Sequence, residues 1–403
     1  MSKRTRVLAA VMATMTVTTA LMGCGSSSSS SSSNSGEKQT LTIWSHLSTA
    51  EVDKVRTLCE QWGNDNNVTV TVQEDKGQMQ DAITALNSSK GPDLYFGLAN
   101  DNLGTYQKAG VLAEVPSGTI DSSKYTATNV VDAVTIGGKQ YAVPIAQECV
   151  ALFYNKDKVS SVPKTMEEVR DSGSFQFNAT DFYLDYGFIS AGGGYVFKNN
   201  NGTLDTEDIG LNNDGAKKGY AFLKSLIDKN LFKADITDDV AKGNFTTGKT
   251  NFYISGPWSI ADAEKANINL GIAPLPTLNG SAMKPFLGVQ TAFVSGKSKK
   301  QDLAWKLMSY LTDKTPEMLL QTGNRLPVLK SAQDSDTFKN NKYMSAFAEQ
   351  AKIAVAMPNA VEMQSVWDPE AQALKSMLSG AATPDAAADT GVDNIKGKIK
   401  SAQ

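Results

Sequence analysis

Tyr183, Trp258 and Trp367 are the residues of this chain whose type and setting most suggest chemistry. Each stands next to glycine, proline or acidic residues instead of inside a uniform apolar period. Trp258 closes Ser255-Gly256-Pro257-Trp258, a strand end with turn chemistry that would project an indole from a sheet edge. A sugar ring has an apolar C–H face and a rim of hydroxyls. A flat aromatic ring beneath it, with carboxylates or amides beside it, makes a matching site. Any one tryptophan is as readily a core residue, but three in loop-edge contexts with acids nearby point to a cleft.

Other chemistries find less support. His46 is the only histidine, which removes the paired-histidine metal motifs, and with Cys24 taken up by the N-terminal lipid signal, one histidine with Cys59 and Cys149 cannot fill a structural zinc shell. No G-x-S-x-G elbow offers a serine nucleophile, and no cofactor or metal is expected. Gly243 to Thr250 fits the phosphate-loop pattern, but that chemistry needs a strand before the loop and a helix after it, and the order read here is the reverse. Asn212, Asp214 and Gly215 echo part of a calcium loop that lacks its anchoring carboxylates, so a helix-capping turn is the plainer reading. Paired carboxylates alone suffice for glycoside hydrolysis, which keeps a secreted hydrolase as an alternative.

The first segment is an address. Lys3 and Arg4 precede an apolar stretch ending in Leu21-Met22-Gly23-Cys24, and a serine run follows. Positive charge, a short apolar core and small residues before a cut mark a secretory signal over residues 1–23. The tetrapeptide resembles the lipobox of bacterial lipoproteins, which implies that the Cys24 thiol carries a diacylglycerol. Residues 24–36 read as a serine- and glycine-rich tether with a reach of roughly 20 Å. Removing the signal leaves about 380 residues, enough for two domains. With 39 basic and 42 acidic side chains, and no basic cluster read outside the signal, nucleic acid is not an expected partner. Cys59 and Cys149 show no framework spacing and read as buried free thiols.

The elements that must position these residues read as an α/β layer. Thr40 to Trp44 alternates as a strand, Ser48 and Glu51 form a capping box, and Val68, Val70 and Val72 mark a second strand. Met79 to Leu86 reads as a helix and Asp93 to Leu98 as a strand after Gly91-Pro92. Such alternation predicts a parallel sheet. Gln140 to Tyr154 and Phe286 to Val294 read as extended crossovers between two bodies, which makes each lobe discontinuous. Asp302 to Leu311 and Ala371 to Leu378 carry helical leucine spacing.

Five segments, Val143-Pro-Ile-Ala-Gln-Glu148, Phe153-Tyr-Asn-Lys-Asp157, Gly193-Gly-Tyr-Val-Phe-Lys198, Ser255-Gly-Pro-Trp258 and Lys284-Pro-Phe-Leu-Gly288, resemble in order and spacing the maltose- and maltodextrin-binding proteins of ABC importers. The resemblance spans nearly the whole mature chain. It implies a two-lobed, type II periplasmic-binding-protein-like α/β fold with a ligand cleft at the hinge. The expected lobes are 37–146 with 292–340, and 147–291 with 341–403. It further implies a non-enzymatic, monomeric lipoprotein on the outer face of the cytoplasmic membrane that delivers malto-oligosaccharides to importer transmembrane subunits. Trp258, Trp367 and Tyr183 then correspond to aromatic platforms, Asp101, Glu148 and Asp181 to acids that accept sugar hydroxyls, and His46 to a polar contact. Asn102 stands where the family has an arginine, and Gly97-Leu98 where it has a tryptophan. Those departures lead us to expect a preference for longer oligosaccharides over the disaccharide. Cyclodextrins and xylo- or galacto-oligosaccharides are the alternative ligands, and a scaffold lipoprotein with buried aromatics is a further rival.

Overall fold

The computed structural model describes residues 38–200 and 202–402. The expected signal, the expected lipidation site Cys24 and the whole of the expected tether lie outside the described residues.

Period-two patterns give the first strands. Strand β1 (Gln39–Ser45) lies between β2 (Val68–Glu74) and β3 (Leu94–Ala99), parallel to both. Helix α1 (Thr49–Asp65) starts where Glu51 Oε2 accepts from both the Ser48 amide (3.0 Å) and hydroxyl (2.7 Å), the capping box read from the sequence. It buries Val52, Val55, Cys59 and Trp62 against this sheet. Helix α2 (Met79–Leu86) follows β2. Gly97, at φ +96°, is skipped in the pairing of β3 with a later strand, where Leu98 faces Thr291 but Phe96 faces Ala292. A Cβ there would lie 2.4 Å from Leu47 Cγ, so only glycine fits this bulge.

The chain leaves the first sheet through β4 (Val143–Glu148) and enters a second through β5 (Ala151–Asn155). The second sheet adds β6 (Phe175–Gln176), β7 (Phe252–Ser255) and β8 (Leu270–Ala273), in the order β8-β5-β7-β6. Against it lies an all-helical layer built from α3 (Phe182–Ala191), α4 (Asp214–Asp228), α8 (Trp367–Leu378) and α9 (Pro384–Ala402). Between α4 and β7 runs α5 (Asp238–Thr246). Strand β9 (Phe286–Val294) returns to the first sheet and pairs antiparallel with both β3 and β4. It runs unbroken through Gly288-Val289-Gln290 as one extended segment, with a register shift against β4 between Gln290 and Thr291 and one against β3 between Thr291 and Ala292. Helices α6 (Gln301–Lys314) and α7 (Pro316–Gly323) then cover the first sheet, and β10 (Val355–Ala356) joins β9. The result is the two-lobed type II fold, an α/β lobe around each sheet.

The decoy motifs resolve in place. Gly243 sits inside α5 and the strand β7 follows, helix before strand. Asn213 caps α4, its side-chain oxygen accepting from the Ala216 amide at 2.8 Å. Cys59 and Cys149 are buried free thiols, and burial pushes Cys59 up to about 12. Among the described residues, no helix is long and apolar enough to cross a membrane.

Candidate functional site

The carboxyl ends of β3, β4 and β7 and the amino end of the antiparallel β9 deliver side chains to one place, the usual location of ligands in open α/β sheets. After β7, Pro257 opens a short 3₁₀ turn that carries Trp258. A Cβ on Gly256 would sit 2.1 Å from the Trp258 ring, so glycine lets the indole fold back over its own turn. Trp258 keeps 45% of its surface exposed, which is uncommon for an indole and opposite to a core role. Its ring centroid lies 6.1 Å from that of Tyr183, which in turn is 6.1 Å from Phe286. Trp367 opens α8 with its ring 5.9 Å from both Phe286 and Phe182. Trp258, Tyr183, Phe286 and Trp367 therefore form one continuous aromatic array, exposed at the Trp258 end and half-buried at the other.

Acids surround it. Asp101, in the 3₁₀ turn after β3, is buried, and desolvation pushes its carboxyl up to about 6, opposed by its own amide and by the Trp367 indole. The Asn102 amide donates to Asp101 Oδ1 at 3.0 Å, and Gln364 donates to the Asp101 carbonyl, also at 3.0 Å. Asp181 caps α3, with Oδ1 accepting from the Tyr183 amide at 3.0 Å. Its carboxyl is raised by burial, with Asp238 adding to the shift. Glu148, at the end of β4, accepts from Gln290 Nε2 at 3.1 Å and from the Arg325 guanidinium. A Cβ at Gly288 would meet Glu148 Cγ at 3.2 Å and Tyr183 Oη at 3.3 Å, so this glycine lets the end of β4 and the start of α3 approach each other.

Tyr183 is the pivot. Burial, then the charges of Glu148, Cys149, Asp181 and Asp101, push its phenol well above the ordinary range. Its Oη is buried and has no hydrogen-bond partner, which is rare for a polar atom in a folded chain. A donor and acceptor thus stands ready between an indole and a carboxylate. The array can hold a flat polyhydroxylated molecule. It lacks a nucleophile–base pair among the contacts described.

His46 lies apart from the rings. Its Nδ1 meets the Asp75 carbonyl at 2.9 Å, and it lines a concavity of about 400 Å³ with Asp75, Gln78, Tyr95, Ala99 and Asn102. Asn102 links this concavity to Asp101 and so to the array. Phe286, Gln290, Arg325 and Gln364 were not singled out from the sequence. Phe286 was visible inside Lys284-Pro-Phe-Leu-Gly288. Arg325 follows Asn324, whose φ of +53° ends α7, and nothing local marked it.

The profile of the family described as bacterial extracellular solute-binding proteins matches residues 57–346. A galactooligosaccharide-binding protein of Bacillus subtilis is 31% identical over 402 residues, covering 95% of this chain and 95% of its own. A maltodextrin-binding protein of the same organism is 31% identical, with 90% of this chain and 91% of its own covered. The crystal structure of the maltose-maltodextrin binding protein of Alicyclobacillus acidocaldarius superposes with a TM-score of 0.82 at 36% identity, over 89% of this chain and all of that one.

Proposed function

We propose that this chain, which belongs to the bacterial extracellular solute-binding proteins, captures malto-oligosaccharides in the cleft between its lobes and presents them to an ABC importer. The observation that carries this reading is the array Trp258–Tyr183–Phe286–Trp367 with the unpartnered Tyr183 Oη beside Glu148. Trp258 and Trp367 stack under successive glucosyl units, Tyr183 contributes a ring and a hydroxyl, and Asp101, Glu148 and Asp181 accept sugar hydroxyls. Hydrogen bonds to charged groups are worth roughly 1.5–3 kcal/mol each, so a few decide orientation and specificity. Asn102 and His46 contact the far end of a longer ligand. The maltodextrin-binding relative and the superposed structure support an α-glucan ligand.

Contacts from both lobes favour the closed form, because only a ligand that binds one state better can shift the equilibrium. Cys24 is the acylated first residue of the mature chain and holds the body at the outer face of the membrane, as a monomer. The protein binds and does not cleave. Incubating the purified chain with maltotetraose and recovering the sugar intact tests this; release of maltose or glucose contradicts it. A second reading, galacto-oligosaccharide capture, is favoured by the relative of that name. Titrating a galacto-oligosaccharide beside maltotetraose separates the two.

A further inference from the structure

The lobe that begins the described chain has a second feature at the sheet edge opposite the aromatic array. Strands β1 and β3 start at this edge, with Gln39 and, just before β3, Asp93, and the antiparallel β9 ends there at Val294. The turn after β9 and the start of α6 then place Lys297, Lys299, Lys300 and Lys306 together, all exposed. They line two adjoining concavities of about 470 and 210 Å³ that share Ser298, Lys299 and Lys300. Among the described residues, Lys300 is the only one of the four in an ion pair. Its Nζ lies 3.8 Å from Asp93 and donates to the Thr40 carbonyl at 2.8 Å. Asp93 is itself occupied by the Thr42 amide and the Ser298 hydroxyl, and Asp302 is the other carboxylate at the rim. A basic face therefore stands on a chain whose net charge is −3, and it corrects the sequence reading that no basic cluster lies outside the signal.

Its position gives it a partner. Gln39 lines the larger concavity, and the chain runs from there through Lys38 back to Cys24, fifteen peptide steps that span at most about 54 Å. Resting on the reading of Cys24 as acylated, we propose that this lysine edge docks on the anionic phospholipid headgroups of the membrane that holds the lipid. An anionic surface attracts such residues only within about a Debye length, roughly 8–10 Å at ordinary salt, and the short tether keeps the edge within reach. Strand β1 runs seven residues from this edge to Ser45, which puts His46 roughly 20 Å farther out. Docking therefore turns the cleft away from lipid, toward the solution from which ligand arrives.

The test compares the acylated chain with the variant Lys297→Glu/Lys299→Glu/Lys306→Glu on supported bilayers, using neutron reflectometry to read the height of the protein layer. Bilayers of 30% phosphatidylglycerol in phosphatidylcholine are compared with phosphatidylcholine alone. The protein layer is expected against the headgroups only for the parent chain on phosphatidylglycerol, lifting by about 10 Å or more in the variant or in 0.5 M salt. Identical profiles for all four combinations overturn the proposal. Unchanged maltotetraose affinity and circular dichroism in the variant show that its fold is intact. Intact-mass analysis reports separately on acylation. If Cys24 carries no lipid, cosedimentation of the same chain with the two kinds of vesicle still tests the edge. A threefold or greater excess on phosphatidylglycerol sustains its affinity for headgroups, and equal sedimentation overturns it.

Discussion

Arg325 and Glu148 form an ion pair between the end of α7 and the end of β4, and the same guanidinium donates through Nε to Glu51 Oε1 at 2.9 Å. Glu51 is fully buried. Burial raises its carboxyl, but the Arg325 and Ser48 hydrogen bonds win and hold it below the ordinary 4.5. One cation thus serves the start of α1 and an acid of the aromatic site.

Removing that cation leaves two carboxylates uncompensated. Arg325→Met is expected to lose about 3–5 kcal/mol of stability in urea denaturation, the usual cost of breaking a buried pair from one side. Adding Glu51→Gln should restore part of it. Because the folded chain depresses the Glu51 carboxyl, this contribution is present above pH 4.5 and is lost as pH falls through the lowered value. Arg325→Met should therefore show a shallower acid-side decline than the parent.

Trp258 separates binding from folding. With nearly half its surface in solvent, Trp258→Ala should change stability by no more than about 0.5 kcal/mol. Affinity for maltotetraose should fall about ten- to a hundredfold, the range of an aromatic hot spot. Equal affinities in calorimetry would remove Trp258 from the site.

Tyr183→Phe makes a prediction of opposite signs. The lost hydroxyl is buried and unpaired, so its removal should leave stability unchanged or raise it by about 1 kcal/mol. Sugar affinity should drop several-fold, since a typical hydrogen bond contributes about 0.5–1.5 kcal/mol. Thermal melting and titration of one sample measure both.

A further effect lies in the helical layer behind the array. Asp185 on α3 is fully buried with neither oxygen partnered. Glu370 on α8 accepts the Tyr220 hydroxyl on Oε2, while its Oε1 has no partner. Burial pushes Asp185 well above the ordinary carboxylate range, with Asp181 and Glu370 adding to it. Burial raises Glu370 from 4.5 to about 7, opposed by Tyr220. The folded chain therefore holds more protons than the unfolded one between these values. Their contribution to stability is fully present below about pH 4.5 and is lost as pH rises through about 7. Glu370→Gln should reduce that decline, and Asp185→Asn/Glu370→Gln should reduce it further. Urea midpoints at pH 5 and pH 8 measure it, and parallel declines in parent and variants would exclude these carboxyls as its source.

Much of this architecture was legible in local pattern. Alternating Val68, Val70 and Val72, the Ser48–Glu51 box and Gly91-Pro92 mark their elements because strand period, cap chemistry and turn chemistry act over a few residues. The exposed setting of Trp258 was readable for the same reason, from Gly256-Pro257. What the chain does not write locally is long-range pairing. Arg325 meets Glu148 across 177 positions, and Gln364 meets Asp101 across 263. The lysine edge is partly local, since Lys297-Ser298-Lys299-Lys300 is contiguous in the chain, and only its place beside the start of β1 comes from the fold.

The most direct measurement is calorimetric titration of the purified chain with maltose and with maltotetraose. The account predicts saturable one-to-one binding of maltotetraose, at least tenfold tighter than maltose, because Trp258 and Trp367 can both be covered only by the longer sugar. Absence of binding heat with maltotetraose, or equal affinity for the disaccharide, contradicts it.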